Sequence, residues 1–257
     1  MKIRVLLTGA AAVLALAGCS KGASQNNDAG IPGNDTSTVT VTQANPPPGG
    51  TWADVVNQTS DGYVMGNPNA KVKLIEIGSL SCPHCQKFEE EGSPILINNY
   101  VKTGKVSWEF RPYIIHGAID VAANLLIRCN GVKTFFPLSQ ALYKDQPIWM
   151  AKLEAAPQDK LQQIQALPPN QSFLQMASLL GLQDWFAARG VPQAKSNACL
   201  TDQKAIEAEV QKSANVNNDY PDFEGTPTFI INGQMFPNPP VGDWQALKPK
   251  LDAAVNG

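Results

Sequence analysis

The run Val72 to Gly78 (VKLIEIG) leads through a Gly-Ser turn into Cys82-Pro83-His84-Cys85, which continues as QKFEEEGSPILINNY. The first stretch is apolar and β-branched, as a buried central strand requires. Pro83 suits the first position of a helix, where its missing N–H would have no partner. The cysteine pair is therefore expected at a strand-to-helix junction, and Ser93-Pro94 predicts a kink or break in that helix. Beyond it, Val106, Trp108 and Phe110 alternate with Ser107, Glu109 and Arg111, which predicts a second strand with one face in the core. Strand, helix and strand at this spacing imply a parallel crossover. A chain carrying this segment is constrained to an α/β fold.

From Gly117 the period changes. DVAANLLIRC, PLSQALYKDQPIWMAKL, DKLQQIQAL, SFLQMASLLGLQDWFAARG and TDQKAIEAEVQKSA all read as helical, with Pro157, Pro168-Pro169, Gly190 and Pro192 as punctuation. This predicts an inserted all-helical subdomain over residues 117–216. Phe135-Phe136, Trp149 and Trp185 fit core packing there. Strand character returns at Thr228 to Ile231, and Asn232-Gly233 before Gln234-Met235-Phe236 predicts a hairpin, because both central residues accept positive φ. Trp244, Leu247, Leu251 and Val255 then recur at helical spacing around Pro249. Residues 56–116 and 217–257 thus form one sheet-containing domain completed by both ends of the chain.

The chain has 257 residues, which suits one large domain or a domain with an insertion. Lys2 and Arg4 precede an apolar run from Val5 to Leu16 of about 12 residues, short of the roughly 20 that span a bilayer. Residues 1–19 read as an export signal. Ala15-Leu16-Ala17 fits a small-x-small cleavage site, while Leu16-Ala17-Gly18-Cys19 resembles the bacterial lipobox. The second is preferred and makes Cys19 a candidate for lipidation. The reason is the segment that follows: residues 20–55 are expected to be a disordered linker, rich in Gly, Pro, Ser, Thr and Asn, that would tether a domain to a membrane. Loss of Lys2 and Arg4 leaves 18 basic residues against 22 acidic ones, with no basic cluster. That balance argues against nucleic acid as a partner.

Export places the five cysteines where disulfides persist. Setting Cys19 aside leaves four, which allow three pairings. Cys82 and Cys85 have the spacing of a redox pair, which leaves Cys129 with Cys199 as the simplest remainder, a structural disulfide. At a helix N-terminus, unpaired N–H groups and the helix dipole stabilise a thiolate on the first cysteine. Cys82 is therefore the expected nucleophile and Cys85 the resolving thiol, while a protonated His84 would add positive charge beside them. A Cys82 titrating near pH 4 would stabilise the reduced protein at pH 7 by about 4 kcal/mol and shift the couple by roughly 90 mV toward oxidising power. The competing chemistry is zinc or copper held by Cys82, Cys85 and His84 or His116, but no second Cys-x-x-Cys is present to complete a site. His116 itself reads as a surface or core-satisfied histidine. No cofactor is called for.

Cys82-Pro83-His84-Cys85, Phe88 three residues later and Gly225-Thr226-Pro227-Thr228-Phe229 resemble the DsbA-like thiol-disulfide oxidoreductases, over about residues 60 to 257. The resemblance implies an α/β thioredoxin fold with an inserted all-helical subdomain, and Pro227 in the cis form beside Cys82. It also implies that the backbone of Thr226 binds extended substrate. Glu76, six residues before Cys82, matches an acid that would relay a proton to or from Cys85; the alternative is an edge-strand glutamate facing water. The function implied is a periplasmic dithiol oxidase, a monomer, that passes its disulfide to reduced, unfolded secreted proteins. A DsbB-like membrane oxidase would reoxidise it. Thr226-Pro227 departs from the Val-Pro of the best-known DsbA proteins and occurs in isomerases, so isomerase or reductase is the alternative. Residues 20 to 50 lack the signature of an N-terminal dimerisation domain of the kind isomerases use, which favours the oxidase.

Overall fold

The computed structural model describes residues 45–236 and 243–257. The expected export signal, Cys19 and the linker up to residue 44 lie outside the described residues.

Strands β1 (Val56–Gln58), β2 (Tyr63–Gly66) and β3 (Val72–Gly78) precede helix α1 (Pro83–Glu91), a short α2 (Ser93–Leu96) and a π-helical turn over Ile97–Val101. Strand β4 (Val106–Pro112) follows. The insert comprises α3 (Ala118–Arg128), α4 (Phe135–Lys144), α5 (Gln146–Glu154), α6 (Gln158–Gln165), α7 (Pro169–Leu179), α8 (Leu182–Ala187), α9 (Gln193–Thr201) and α10 (Gln203–Asp219). Strands β5 (Thr228–Ile231) and β6 (Gln234–Met235) and helix α11 (Trp244–Asn256) complete the described chain. Among the described residues no helix is long and apolar enough to cross a membrane.

The strands form one mixed sheet in the order β1-β2-β4-β3-β5-β6. β3 and β4 are parallel, as the crossover predicts, and β5 runs antiparallel to β3. Gly78 ends β3 under the Phe110 ring, where an added Cβ would lie 2.6 Å from a ring carbon. Asn232 and Gly233, with φ of 50° and 82°, make the predicted turn between β5 and β6. The expected thioredoxin fold with a helical insert is the one observed.

Four expectations change. The linker does not extend to residue 55: Trp52–Asp54 form a 3₁₀ turn, closed by the Asp54 carboxylate on the Thr51 N–H, and Val55 is buried. The insert does not stop at residue 216, because α10 continues unbroken to Asp219. Two helical stretches that read as continuous are each broken, at Asp145 and at Gly181, whose φ is 70°. Finally, β4 is buried on both faces. Its apolar side meets the insert, with Trp108 5.0 Å from Phe136 and Phe110 5.7 Å from Phe135. Its polar side lies under the end of α10, where Val216 packs on Ile77 and Ile230. Ser107, Glu109 and Arg111 are buried there instead of facing water. Burying charge is costly without partners, and the pair is supplied with them: Arg111 lies 3.1 Å from Glu109, which also accepts from Thr59 Oγ1 at 2.6 Å.

Cys129 and Cys199 form a disulfide between the end of α3 and α9, with Cα atoms 6.1 Å apart and a sequence separation of 70. Replacing both with alanine is expected to lower unfolding free energy by up to about 4 kcal/mol on the chain-entropy account. Urea unfolding in non-reducing buffer measures this, and an unchanged midpoint would contradict it.

Candidate active site

Three segments meet at one end of the sheet because β3 and β4 both finish there and β5 begins there. The loop after β3 carries the cysteines, the loop after β4 carries His116, and the entry to β5 carries Thr226-Pro227. Cys82 is the N-cap of α1 in extended conformation, and Pro83 opens the helix. Phe88, fully buried on α1, locks that helix down against Phe229 at 4.7 Å and Trp244 at 6.4 Å between ring centres.

The Thr226-Pro227 bond is cis. The Cys82 thiol donates to the Thr226 carbonyl at 3.3 Å, so positions 82 and 226 are brought together as the resemblance implies. Cys85 lies behind, fully buried, and its sulfur accepts from the Ser79 N–H at 3.5 Å. Both cysteines are free thiols.

The two sulfurs titrate in opposite directions. The hydrogen bond from the Cys85 thiol is the largest influence lowering Cys82, which falls to about 5 against the opposing cost of burial. The Thr226 hydroxyl and the backbone N–H groups of Cys85 and His84 assist. Thr226 Oγ1 is buried and has no other hydrogen-bond partner, so a thiolate at position 82 gives it one. Burial drives Cys85 well above the usual thiol value, with further contributions from the Cys82 bond and the charges of Cys82 and Glu76. His84 acts through its backbone; the imidazole expected to charge the site is exposed to solvent.

Glu76 is 1% exposed and lies inside the sheet, in register with Phe110 and Phe229, so the water-facing alternative is overturned. Its carboxylate accepts from Trp108 Nε1 at 3.1 Å. Burial raises its pKa well above the ordinary range, and the neighbouring Glu89 adds to the rise. Glu89, on α1, accepts from Ser93 Oγ at 2.7 Å, and burial pushes it to about 8. Sequence reading missed Glu89, although its position four residues after Cys85 puts it on the same helix face. Tyr143 and Gln146 were also missed. From the insert, Tyr143 donates to the Ser79 carbonyl at 3.0 Å, and Gln146 Nε2 donates to the carbonyls of Leu80 at 2.9 Å and Cys82 at 3.1 Å.

His116 is an exposed surface histidine, as expected, yet its Nδ1 lies 2.7 Å from the hydroxyl of Ser81, the residue before Cys82. Among the described residues no three His, Cys, Asp or Glu side chains gather in a metal-binding cluster. The arrangement can form a thiolate at one sulfur, keep the other protonated, and hold a carboxyl group that favours its protonated form nearby.

A thioredoxin family model matches residues 58–248. A Rickettsia bellii protein with protein-disulfide oxidoreductase in its name is 27% identical over 176 residues, which cover 68% of this chain. The chain spans 58% of the length of that relative. A crystal structure described as a protein-disulfide isomerase from Novosphingobium aromaticivorans matches with a TM-score of 0.72 at 29% identity, covering 77% of this chain and 99% of that one. The crystal structure of Wolbachia pipientis alpha-DsbA1 shares the fold, with a TM-score of 0.59 at 20% identity, covering 75% and 90% of the two chains.

Alkylation of the reduced protein is expected to modify Cys82 alone, with a rate that reaches half its maximum near pH 5. Thr226→Val removes a hydrogen bond to a charged group, worth about 1.5 to 3 kcal/mol, and should move that midpoint up by roughly one to two pH units. Thr226→Ser should leave it in place. Coincident profiles for the parent and the valine variant would refute the role given to the hydroxyl.

Proposed function

The chain belongs to the thioredoxin family matched over residues 58–248, and on that premise we propose that it is an exported thiol-disulfide oxidoreductase of the DsbA type. Its reaction is the donation of the Cys82-Cys85 disulfide to reduced, unfolded secreted proteins. The observation that carries this reading is the contrast at the pair: the thiol of Cys82, at the N-cap of α1, is lowered and that of Cys85 is raised.

In the donating direction, a client thiolate attacks Cys82 Sγ. A client–Cys82 bond forms and the Cys82–Cys85 bond breaks, with its electron pair going to Cys85. Burial opposes an anion at Cys85, so that sulfur takes up a proton, for which the Glu76 carboxyl is the nearby source. A second client thiolate then attacks the client sulfur of the mixed disulfide. Cys82 leaves as the thiolate its surroundings favour, the client gains a disulfide, and two electrons remain on the protein. A quinone-linked membrane oxidase of the DsbB kind restores the disulfide. Export by residues 1–19, lipid attachment at Cys19 and work on the periplasmic side of the envelope belong to the same proposal. So do the monomeric state and the division into 56–116 and 217–257 around the insert.

The energetics favour donation. A depressed thiol stabilises the reduced protein in full above the unfolded-state thiol pKa and loses that contribution as pH falls through about 5. At pH 7 the effect is at most about 3 kcal/mol, and less once solvent screening at the sulfur is counted. At about 30 mV for each 1.4 kcal/mol this shifts the couple by up to about 60 mV toward oxidising power. The figure is smaller than the sequence alone suggested, and its direction is the same. Isomerisation is the second reading, favoured by Thr226 before the cis proline and by the neighbour described as an isomerase.

Between Cys82's pKa and that of Cys85, reduction takes up one proton for two electrons. The midpoint potential should therefore fall by about 30 mV per pH unit above pH 5 and by about 59 mV below it. Equilibration with glutathione buffers from pH 4 to 8 measures this, and a uniform slope of about 59 mV would sink the reading. Cys85→Ala should accumulate a mixed disulfide when its Cys82 thiolate attacks a client that carries a disulfide, the displaced client sulfur leaving as a thiol, and Cys82→Ala should not. If a scrambled client is reshuffled faster than a reduced one is oxidised, isomerisation is the reaction.

A further inference from the structure

Asp120 lies in the first turn of α3, 38 residues beyond Cys82, and is 0% exposed. Its Oδ1 accepts from the Ser79 hydroxyl at 2.7 Å and from the Ser81 N–H at 3.2 Å. Its Oδ2 accepts from the N–H groups of Ile115 at 2.9 Å and His116 at 2.7 Å. One carboxylate thus binds the turn before Cys82 to the connection between β4 and α3. Around it, Ser79 Oγ lies 3.1 Å from Ser81 Oγ and accepts from the Ser81 N–H at 3.2 Å, while Ser81 Oγ meets His116 Nδ1. The carbonyls of the same turn are held by Tyr143 and Gln146.

We propose that Asp120 is a positioning residue for the redox reaction: by holding Ser79, Ser81 and the Ile115-His116 link together, it fixes where Cys82 sits against the N–H groups opening α1. The inference rests on reading Cys82 as the nucleophile. Only a carboxylate accepts on both oxygens in this way. An asparagine of the same shape keeps one acceptor and turns two N–H donors toward two others, so either the cysteine turn or the β4–α3 link is released. The bland role, a carboxylate at a helix N-terminus that merely stabilises α3, predicts lost stability and an unaltered Cys82.

The test is the pH dependence of Cys82 alkylation in the reduced full chain, read beside thermal unfolding, for the parent, Asp120→Asn and Ser79→Ala. The other titratable groups around the pair, Cys85, Glu76, Glu89, Tyr143, His84 and His116, are common to all three proteins. Asp120→Asn should reduce the alkylation rate at pH 5 by about fivefold, equivalent to a midpoint raised by about one pH unit, while the alkaline plateau stays at the parent value. Ser79→Ala should shift it the same way by less, and the double variant should match Asp120→Asn, as members of one network do. Superimposable profiles with a lowered melting temperature for Asp120→Asn would overturn the proposal. If that variant does not fold, an unchanged Ser79→Ala profile overturns it equally, and a shifted one supports it. A parent profile like that of a free thiol instead refutes the reading of Cys82 itself.

Discussion

The hydrogen bond that the Cys85 thiol gives to the Cys82 sulfur depends on unequal solvation, and the rest of the site follows from it. Cys85 lies where an anion is costly, so it keeps its proton and can donate it. Cys82 is placed at the start of α1, where backbone N–H groups have no helical partner and face a developing negative charge. Neither condition alone makes an exchange catalyst. Both sulfurs are buried, and what separates them is that Cys82 has donors to receive its charge while Cys85 has burial opposing it. The Phe88, Phe229 and Trp244 packing fixes α1, and with it both sulfurs, in place.

The parts legible in sequence were those encoded locally. The β-branched Val72–Gly78, the proline after Cys82 and the Asn232-Gly233 turn each declare their conformation within a few residues. Whatever depends on a distant neighbour was hidden. The β1 and β2 strands are short, three and four residues, and carry little periodicity. The alternation in β4 read as half-buried because nothing near Ser107, Glu109 and Arg111 reveals that α10, about 100 residues later, returns to cover them. Glu76 is marked by family resemblance, whereas Glu89 follows from helical spacing alone, four residues after Cys85 on α1. Tyr143, Gln146 and Asp120 could not have been found, since their partners are backbone groups and, for Asp120, also the hydroxyl of Ser79, 41 residues away in the sequence.

The helical insert therefore belongs to the site as much as the sheet does. Tyr143 and Gln146 hold three carbonyls of the cysteine turn, and Tyr63 of β2 stacks on Phe135 of α4 at 3.8 Å. Farther out, Glu209 of α10 receives Arg128 at 2.7 Å and Lys212 at 3.0 Å, tying α3 to α10. Hydrogen bonds and ring stacking thus join the subdomain to the sheet domain, and its disulfide joins two of its own helices.

The contact between Cys82 and Thr226 spans 144 residues of sequence. A ribosome builds the chain from its N-terminus, so the cysteine motif is translated long before the carbonyl and hydroxyl that attend it. Until the last strands are translated, the nascent protein carries two thiols in an unfinished setting. The share of its acidity that Thr226 supplies is acquired only when that residue has been translated.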